Sequence, residues 1–520
     1  MKDSFLVAAG ILLSRVMGLV RQRIFSHYFG LYDQADAFIA ALRIPNFLQN
    51  LFGEGVLSAS FIPVYASLRA RGDEEEAGHV AGAIGAILAL VTSVLVLAGV
   101  LLTRYLIDAI APGFTGEKRE LTIRLVRILF PGVGLLVLSA WCLGILNSHR
   151  RFFLSYTAPV IWNLAMIAAL VWFGGRTDLD RLAVLLAWGS VAGSALMFLV
   201  QLPWILLLVK RLRPTLSTAS ENVRTVIRNF GPVFVSRGVV QLSAYIDSIL
   251  SSLLGTSAMA GLANAQLLYT LPVSLFGMSV SAAELPAMSS AVGSAEEISQ
   301  HLRHRLNGGL RQIAFFIVPS AMAFLALGDV VAGAVLQSGR FTRADSVYVW
   351  GILAGSTVGL LAQTMGRLYS STYYALRDTR TPLRYAIVRV VLTTALGFVC
   401  AIWLPKWIGI ELRWGVAGLT ASAGVAGWVE FALLRRTLNS RIGVTGLART
   451  FVVKLWIAAG IAAAAGWAVK LALGTRHPLT SAVAILGAYG VLYFALTMAW
   501  GVDEATSLFG RLKLINRQAR

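Results

Sequence analysis

Residues 80–103 read VAGAIGAILALVTSVLVLAGVLLT, an unbroken apolar run with no charged side chain and no proline. At 1.5 Å per residue such a helix is about 36 Å long, enough to cross a hydrocarbon core of ~30 Å. A soluble core helix would carry a polar face over that length, so the run reads as a membrane span. Working outward, the same pattern recurs at 4–27, 36–65, 121–146, 157–173, 183–208, 229–254, 261–290, 312–337, 346–376, 385–404, 414–434, 450–473 and 480–500. Turn residues or charges fill nearly all the gaps, as at Pro112–Glu120 and Arg377–Pro382. The expected fold is an all-α polytopic membrane protein of about 14 transmembrane helices. A transmembrane barrel is excluded because strands of alternating polarity are missing.

Composition agrees with this reading. The 520 residues are 57% hydrophobic and 13% charged, with a mean hydropathy of +0.72. A soluble chain carries about 25% charged residues, so a string of soluble domains, a disordered scaffold and a fibrous protein are all excluded. Cys142 and Cys400 sit far apart in apolar segments and offer neither a disulfide framework nor a CxxC site. His301 and His304 share a basic loop and read as a solvated pair, not metal ligands. No phosphate-binding loop, HExxH, nucleophile elbow or dinucleotide fingerprint is present. The chain therefore reads as a non-enzyme without a metal or cofactor. At the start, Arg15, Arg21 and Arg23 follow the apolar stretch Ser4–Leu13 directly, which argues against a cleaved signal peptide.

The formal charge of +20 would suggest nucleic acid in a soluble protein. In a membrane protein its placement matters more. With the N-terminus inside, the inner segments hold 24 Lys and Arg and the outer segments 10. This asymmetry predicts both termini in the cytoplasm and removes nucleic acid as a partner. The other cations lie within the spans: Arg15, Arg21, Arg23, Arg43, Arg124, Arg127, Arg237, Arg367, Arg389, Lys454 and Lys470. Those near span ends can snorkel to the interface.

The chain also repeats itself at an offset of roughly 227 residues. Pro45 answers Pro272, and Phe114-Thr115 answers Phe341-Thr342. This predicts an N-lobe over 1–214 (helices 1–6) and a C-lobe over 215–444 (helices 7–12). Helices 13–14 follow at 445–500, then a basic cytoplasmic tail at 501–520. Six spans per lobe give both copies one orientation, the parallel-repeat arrangement of transporters that bind substrate between lobes. Gly78-x3-Gly82 and the Gly415–Gly427 stretch are expected to mark close helix packing. The tail cations Arg511, Lys513, Arg517 and Arg520 are expected to meet anionic membrane lipids.

Charges within the first 60 residues carry the functional signal. An arginine at mid-membrane costs about 2.5–3.5 kcal/mol on insertion scales and normally faces a water-filled cavity. At about 100° per residue, Asp36, Arg43 and Glu54 fall within about 20° of one stripe of a continuous helix. Arg15 and Gln22 share one face of helix 1, with Arg21 about 120° away. Several guanidiniums and fewer carboxylates suit a phosphate-bearing substrate, because the planar fork binds its oxygens bidentately. In the second lobe the mid-span charges are Arg237, Asp247 and Glu284. Asp247 reads either as a structural partner of Arg237 or, with Thr393 and Thr420, as a site for a coupling cation.

Several of these residues also form a pattern: Ser14-Arg15-Val16-Met17-Gly18, Phe29-Gly30, Ala35-Asp36-Ala37-Phe38, Ile44-Pro45-Asn46, Phe52-Gly53-Glu54-Gly55 and Phe61-Ile62-Pro63. Over residues 14–63 it resembles the MurJ/MviN family of lipid II flippases, in the superfamily that also holds the MATE exporters. Weaker echoes continue at Ala111-Pro112-Gly113-Phe114, Gly339-Arg340-Phe341-Thr342 and Thr381-Pro382. The resemblance implies a MATE-like fold and transfer of lipid II across the bacterial inner membrane by alternating access. It implies a substrate cavity lined by Arg15, Arg21, Asp36, Arg43, Asn46 and Glu54. It also implies a coupling Na+ or H+, dependence on the membrane potential, other cell-wall synthesis proteins as partners, and a monomer. Two positions depart from the family. Gln49 and Leu267 stand where arginine is frequent, and Arg237 is the expected substitute in the second lobe. The rival readings are a flippase for another polyprenyl-diphosphate-linked oligosaccharide, a MATE-type cation antiporter, and a non-transporting membrane scaffold.

Overall fold

The computed structural model describes residues 2–474 and 477–506; the side chains of residues 2–9, 11, 45, 54 and 235–244 lie outside that description. Among the described residues the regular structure is helical, apart from one isolated bridge between Ser338 and Phe341. In chain order the helices are α1 (Lys2–Phe29), α2 (Asp33–Phe52), α3 (Glu54–Ser60), α4 (Ile62–Ala70), α5 (Glu74–Leu101), α6 (Thr103–Ile110), α7 (Gly116–Ser148), α8 (Phe152–Phe173), α9 (Leu179–Leu208) and α10 (Glu221–Ser252). Then come α11 (Ala258–Pro272), α12 (Ser279–Ser289), α13 (Ala295–Leu336), α14 (Arg343–Ala375), α15 (Arg380–Phe398), α16 (Leu404–Ile408), α17 (Gly415–Ile442), α18 (Arg449–Leu473) and α19 (Pro478–Ala499). Counting broken helices as one, 12 among the described residues are long and apolar enough to cross a membrane. The remaining two expected spans, 4–27 and 229–254, fall on α1 (28 residues) and α10 (32 residues).

By contacts the chain divides into two compact units, Met1–Ala260 with Ser338–Phe341, and Gly261–Gln337 with the chain from Thr342 onward. The helix α10, which the repeat counts with the second lobe, packs on α2 and α3 and belongs to the first unit. The centre of that unit is α7, which packs on α2, α5 and α9. From Ser139 to Leu146 every residue is buried, because neighbours surround that part, whereas earlier a stripe through Arg124, Arg127 and Pro131 stays exposed. In the second unit α14 holds the equivalent place between α13 and α17.

The span expected at 36–65 is not one helix. Gly53 leaves the helical region (φ −86°, ψ −152°) and separates α2 from α3, and a further joint follows at Phe61. A Cβ on Gly53 would lie 2.2 Å from the carbonyl oxygen of Gln49, so only glycine permits this geometry. Pro45 is passed without interrupting α2. The stripe relating Asp36 to Arg43 therefore holds, but the break removes the helical register that extended it to Glu54. A similar interruption follows Pro272, where a π-helical segment over Val273–Met278 separates α11 from α12.

Small residues set the close approaches. A Cβ on Gly359 of α14 would stand 2.4 Å from the Cα of Gly424 on α17, so these two helices touch backbone to backbone, as expected for the Gly415–Gly427 stretch. Gly78 and Gly82 serve otherwise. Their faces receive the carbonyl oxygens of Arg211 and Arg213, a loop and not a helix.

Candidate functional site

The expected site residues of the first unit separate into three places. At the start of α2, Asp36 is completely buried. Its carboxylate accepts from Lys118 Nζ at 2.7 Å, from the backbone N–H of Ser257 at 2.9 Å and from that of Ala260 at 2.7 Å. Lys118 also reaches Asp33 at 2.8 Å and lies 4.3 Å above the Phe114 ring. Asp36 thus satisfies two N–H groups at the start of α11, which have no intrahelical acceptor. The neighbouring Gly113 packs on the end of α10, where a Cβ would stand 2.1 Å from the Ser252 carbonyl oxygen. A carboxylate committed to three donors is a clamp.

Further along α2, Arg43 faces α10. One of its amino groups donates to Ser248 Oγ, and its carbonyl accepts from the Tyr245 hydroxyl at 3.1 Å. Asp247 attracts the same guanidinium electrostatically. The Phe47 ring meets Tyr245 edge-on at 5.0 Å, and Phe52 packs on Phe230 and Phe234. Asp247 therefore has an arginine from α2 beside it. Thr393 and Thr420, the other members of the expected cation site, belong to the second unit. Thr393 is buried there, and the Thr420 hydroxyl is engaged with the backbone carbonyls of Ile352 and Ala417, both at 3.0 Å.

On α1, Arg21 is half-buried and reaches across to α8. Its guanidinium lies 4.8 Å over the Trp162 ring and 4.0 Å from the sulfur of Met166. Among the described residues no carboxylate comes within 4 Å of it. An arginine over an aromatic ring is held by the cation–π attraction, which does not use up its N–H donors. Arg15 stands on an exposed face of α1, and Asn46 is half-buried on α2. The side chains of Glu54 and Arg237, and the tail from residue 507, lie outside the described residues.

Other charged partners escaped the sequence reading. Glu284, taken as a mid-span charge, pairs with Arg305 of α13 at 2.9 Å. Lys470 of α18 pairs with Asp329 of α13 at 2.6 Å and covers the Trp467 ring. Beyond α19, Glu504 takes a forked contact from Arg311, at 2.5 and 3.1 Å. Outside the spans, the His149 ring lies 3.0 Å from the Tyr65 hydroxyl, beside a polar cavity of about 340 Å³. Burial, then the nearby Arg69, depress its pKa to about 4.

Long apolar helices, two of them interrupted beyond a proline, with a buried charge clamp at Asp36 and an Arg21 that has no carboxylate within 4 Å among the described residues, are the features of a polytopic membrane carrier. A family model described as Lipid II flippase MurJ matches residues 25–490, and the chain belongs to that family. Membership makes it a membrane transporter and not an enzyme, a multi-pass protein of the bacterial inner membrane. Lipid II flippase MurJ of Burkholderia cenocepacia is 29% identical over 519 residues, covering 97% of this chain and 98% of that one. A probable lipid II flippase MurJ of Rhizobium tropici is 30% identical over 457 residues, covering 85% and 81%. Among solved structures, a lipid II flippase MurJ in an inward closed conformation matches with a TM-score of 0.79 at 22% identity, over 96% of this chain and 99% of that one. An inward-facing MATE transporter matches with a TM-score of 0.67 at 18% identity, over 82% and 95%. The fold is thus the MATE-like one expected.

Proposed function

We propose that this chain carries lipid II from the cytoplasmic to the outer leaflet by alternating access, with both termini in the cytoplasm and the arginines of α1 binding the diphosphate. One observation carries the site assignment: the Arg21 guanidinium lies 4.8 Å over the Trp162 ring with no carboxylate within 4 Å among the described residues. A cation maintained in a span at a cost of about 2.5–3.5 kcal/mol needs an anion to justify it, and a phosphate ester fits the guanidinium fork. Arg15, on the same helix, supplies a second cation, while Asp36 and Arg43 position α2. An inside-negative potential favours outward movement of an anion by about 2.3 kcal/mol per charge per 100 mV of field crossed. A Na+ or H+ bound near Asp247 resets the carrier, which works as a monomer beside other cell-wall synthesis proteins.

The test is depletion in the native host with a leaflet-specific assay for lipid II. The expected result is accumulation in the inner leaflet, relieved by the wild-type chain but not by Arg15→Ala/Arg21→Ala. Normal outward exposure of lipid II on depletion would overturn the function. Full rescue by the double variant would overturn the site.

A further inference from the structure

The second unit holds an intramembrane cluster that the reading above leaves unused. Arg367 lies eight residues before the end of α14, and Arg389 nine residues after the start of α15. At 1.5 Å per residue they stand about 12 and about 14 Å from the short turn joining those helices, and so at one level. Glu430 of α17 approaches Arg389 at 3.4 Å, and both arginines attract its carboxylate. Tyr269 of α11 completes the group. Its hydroxyl donates to Gln363 Oε1 at 2.8 Å, and the same two arginines act on it electrostatically.

The charges do not balance. Two guanidiniums face one carboxylate in a region where each unneutralised charge is costly. A structural pair would need only Arg389 and Glu430. Arg367 is surplus, exposed, and without an ion pair within 4 Å among the described residues. Its accessibility is matched by the Arg389 side chain, 35% exposed, whereas Glu430 is only 15% exposed. The open side of the cluster is therefore cationic, and the carboxylate lies behind it.

We propose that Arg367 and Arg389 form a second subsite for a lipid-linked diphosphate, walled by Tyr269, whose hydroxyl stays bonded to Gln363. It supplies the second-lobe cations that Arg237 was expected to provide from the sequence. Glu430 is the resident counter-ion that holds Arg389 in place when the subsite is empty. This assignment rests on the reading that a diphosphate lipid is the cargo.

The full-length protein in phosphatidylcholine nanodiscs would be titrated with lipid II, with thermal melting as a control for folding. Arg367→Gln and Arg389→Gln should each weaken binding about tenfold, the loss expected for a charge-assisted contact. Glu430→Gln should tighten it several-fold, and Arg389→Gln/Glu430→Gln should stay weak. Wild-type affinity in Arg367→Gln or Arg389→Gln would overturn the subsite while leaving the transported lipid as proposed. So would restored affinity in the double variant, which would mean the arginine only neutralises Glu430. Equal competition by phosphatidylglycerol would overturn diphosphate recognition in favour of bulk anionic lipid. Failure of the wild-type chain to bind lipid II would remove the functional reading itself, and the subsite with it.

Discussion

Asp36→Ala tests whether the buried carboxylate of α2 is a clamp or a substrate contact. Its three donors are Lys118 Nζ and the N–H groups of Ser257 and Ala260, all within 2.9 Å, and the residue has no exposure. Removing one partner of a buried ion pair costs about 3–5 kcal/mol, and each buried N–H left without an acceptor about 1–3 kcal/mol. Lys118 keeps Asp33 at 2.8 Å and the Phe114 ring, so the ion-pair cost falls to the low end. A loss of ~5 kcal/mol follows even at the low end of each cost, and for a unit of this size that lowers the apparent melting temperature by ~10 °C or more. The assay is thermal unfolding of the purified chain in one detergent at one scan rate, because such unfolding is read kinetically. Lys118→Met should cost less than Asp36→Ala alone, and the double variant less than the sum, since the two residues share one interaction. An unchanged melting temperature for Asp36→Ala together with lost lipid II export would refute the clamp and return Asp36 to the substrate cavity.

The remaining predictions concern other parts of the molecule. His149 has a folded pKa of about 4 against an ordinary 6.5. Only the unfolded chain takes up its proton between those values, so stability should be constant above pH 6.5 and fall as pH drops toward 4. The ring is only partly buried, so the loss is ~1 kcal/mol after solvent screening, and His149→Gln should flatten the profile of melting temperature against pH. Gly359→Ala drives a Cβ to within 2.4 Å of Gly424 Cα and should destabilise by ~2 kcal/mol in a melting assay. Gly366→Ala on the same helix meets nothing within 4 Å and should not destabilise. Arg21→Lys keeps the charge but loses the planar fork, so lipid II binding should weaken about tenfold with little change in melting temperature.

The helical architecture was legible because a bilayer demands about 20 apolar residues per crossing, and that demand is local. The break at Gly53 was not, since Phe52-Gly53-Glu54 hardly changes the hydropathy of the run. What requires the glycine is the carbonyl of Gln49, visible only once the chain is folded. The charged residues show the same division. That Asp36, Arg43 and Asp247 sit within apolar spans could be read directly, but their partners could not. Lys118 lies in a segment counted as an outer loop, and Asp247 reaches Arg43 from a helix some 200 residues away. Glu284 looked mid-span because the apolar pattern runs to residue 290, yet Arg305 on the next helix turns back to meet it. Hydropathy locates a charge in depth; only packing says what answers it.

That distinction separates cations that are locked from cations left open. Two tight pairs use lysine with aspartate: Lys118 with Asp36, and Lys470 with Asp329. Both ammonium groups also lie over an aromatic ring, 4.3 Å from that of Phe114 and 4.4 Å from that of Trp467. A compact charge that a single carboxylate can neutralise suits a lock. Arg21 and Arg367 have no carboxylate within 4 Å among the described residues, and neither has Lys454, whose ammonium donates instead to the Trp500 carbonyl at 3.1 Å. Arginine is more weakly hydrated and presents several N–H donors in one plane, so it can wait in a span for an anion that arrives and leaves. Arginines also serve as locks, as in Arg305 with Glu284, so residue type alone does not mark an open position. What a carrier requires is a cation left open, because a site that bound its own carboxylate as firmly as Lys118 binds Asp36 would have no affinity left for a diphosphate.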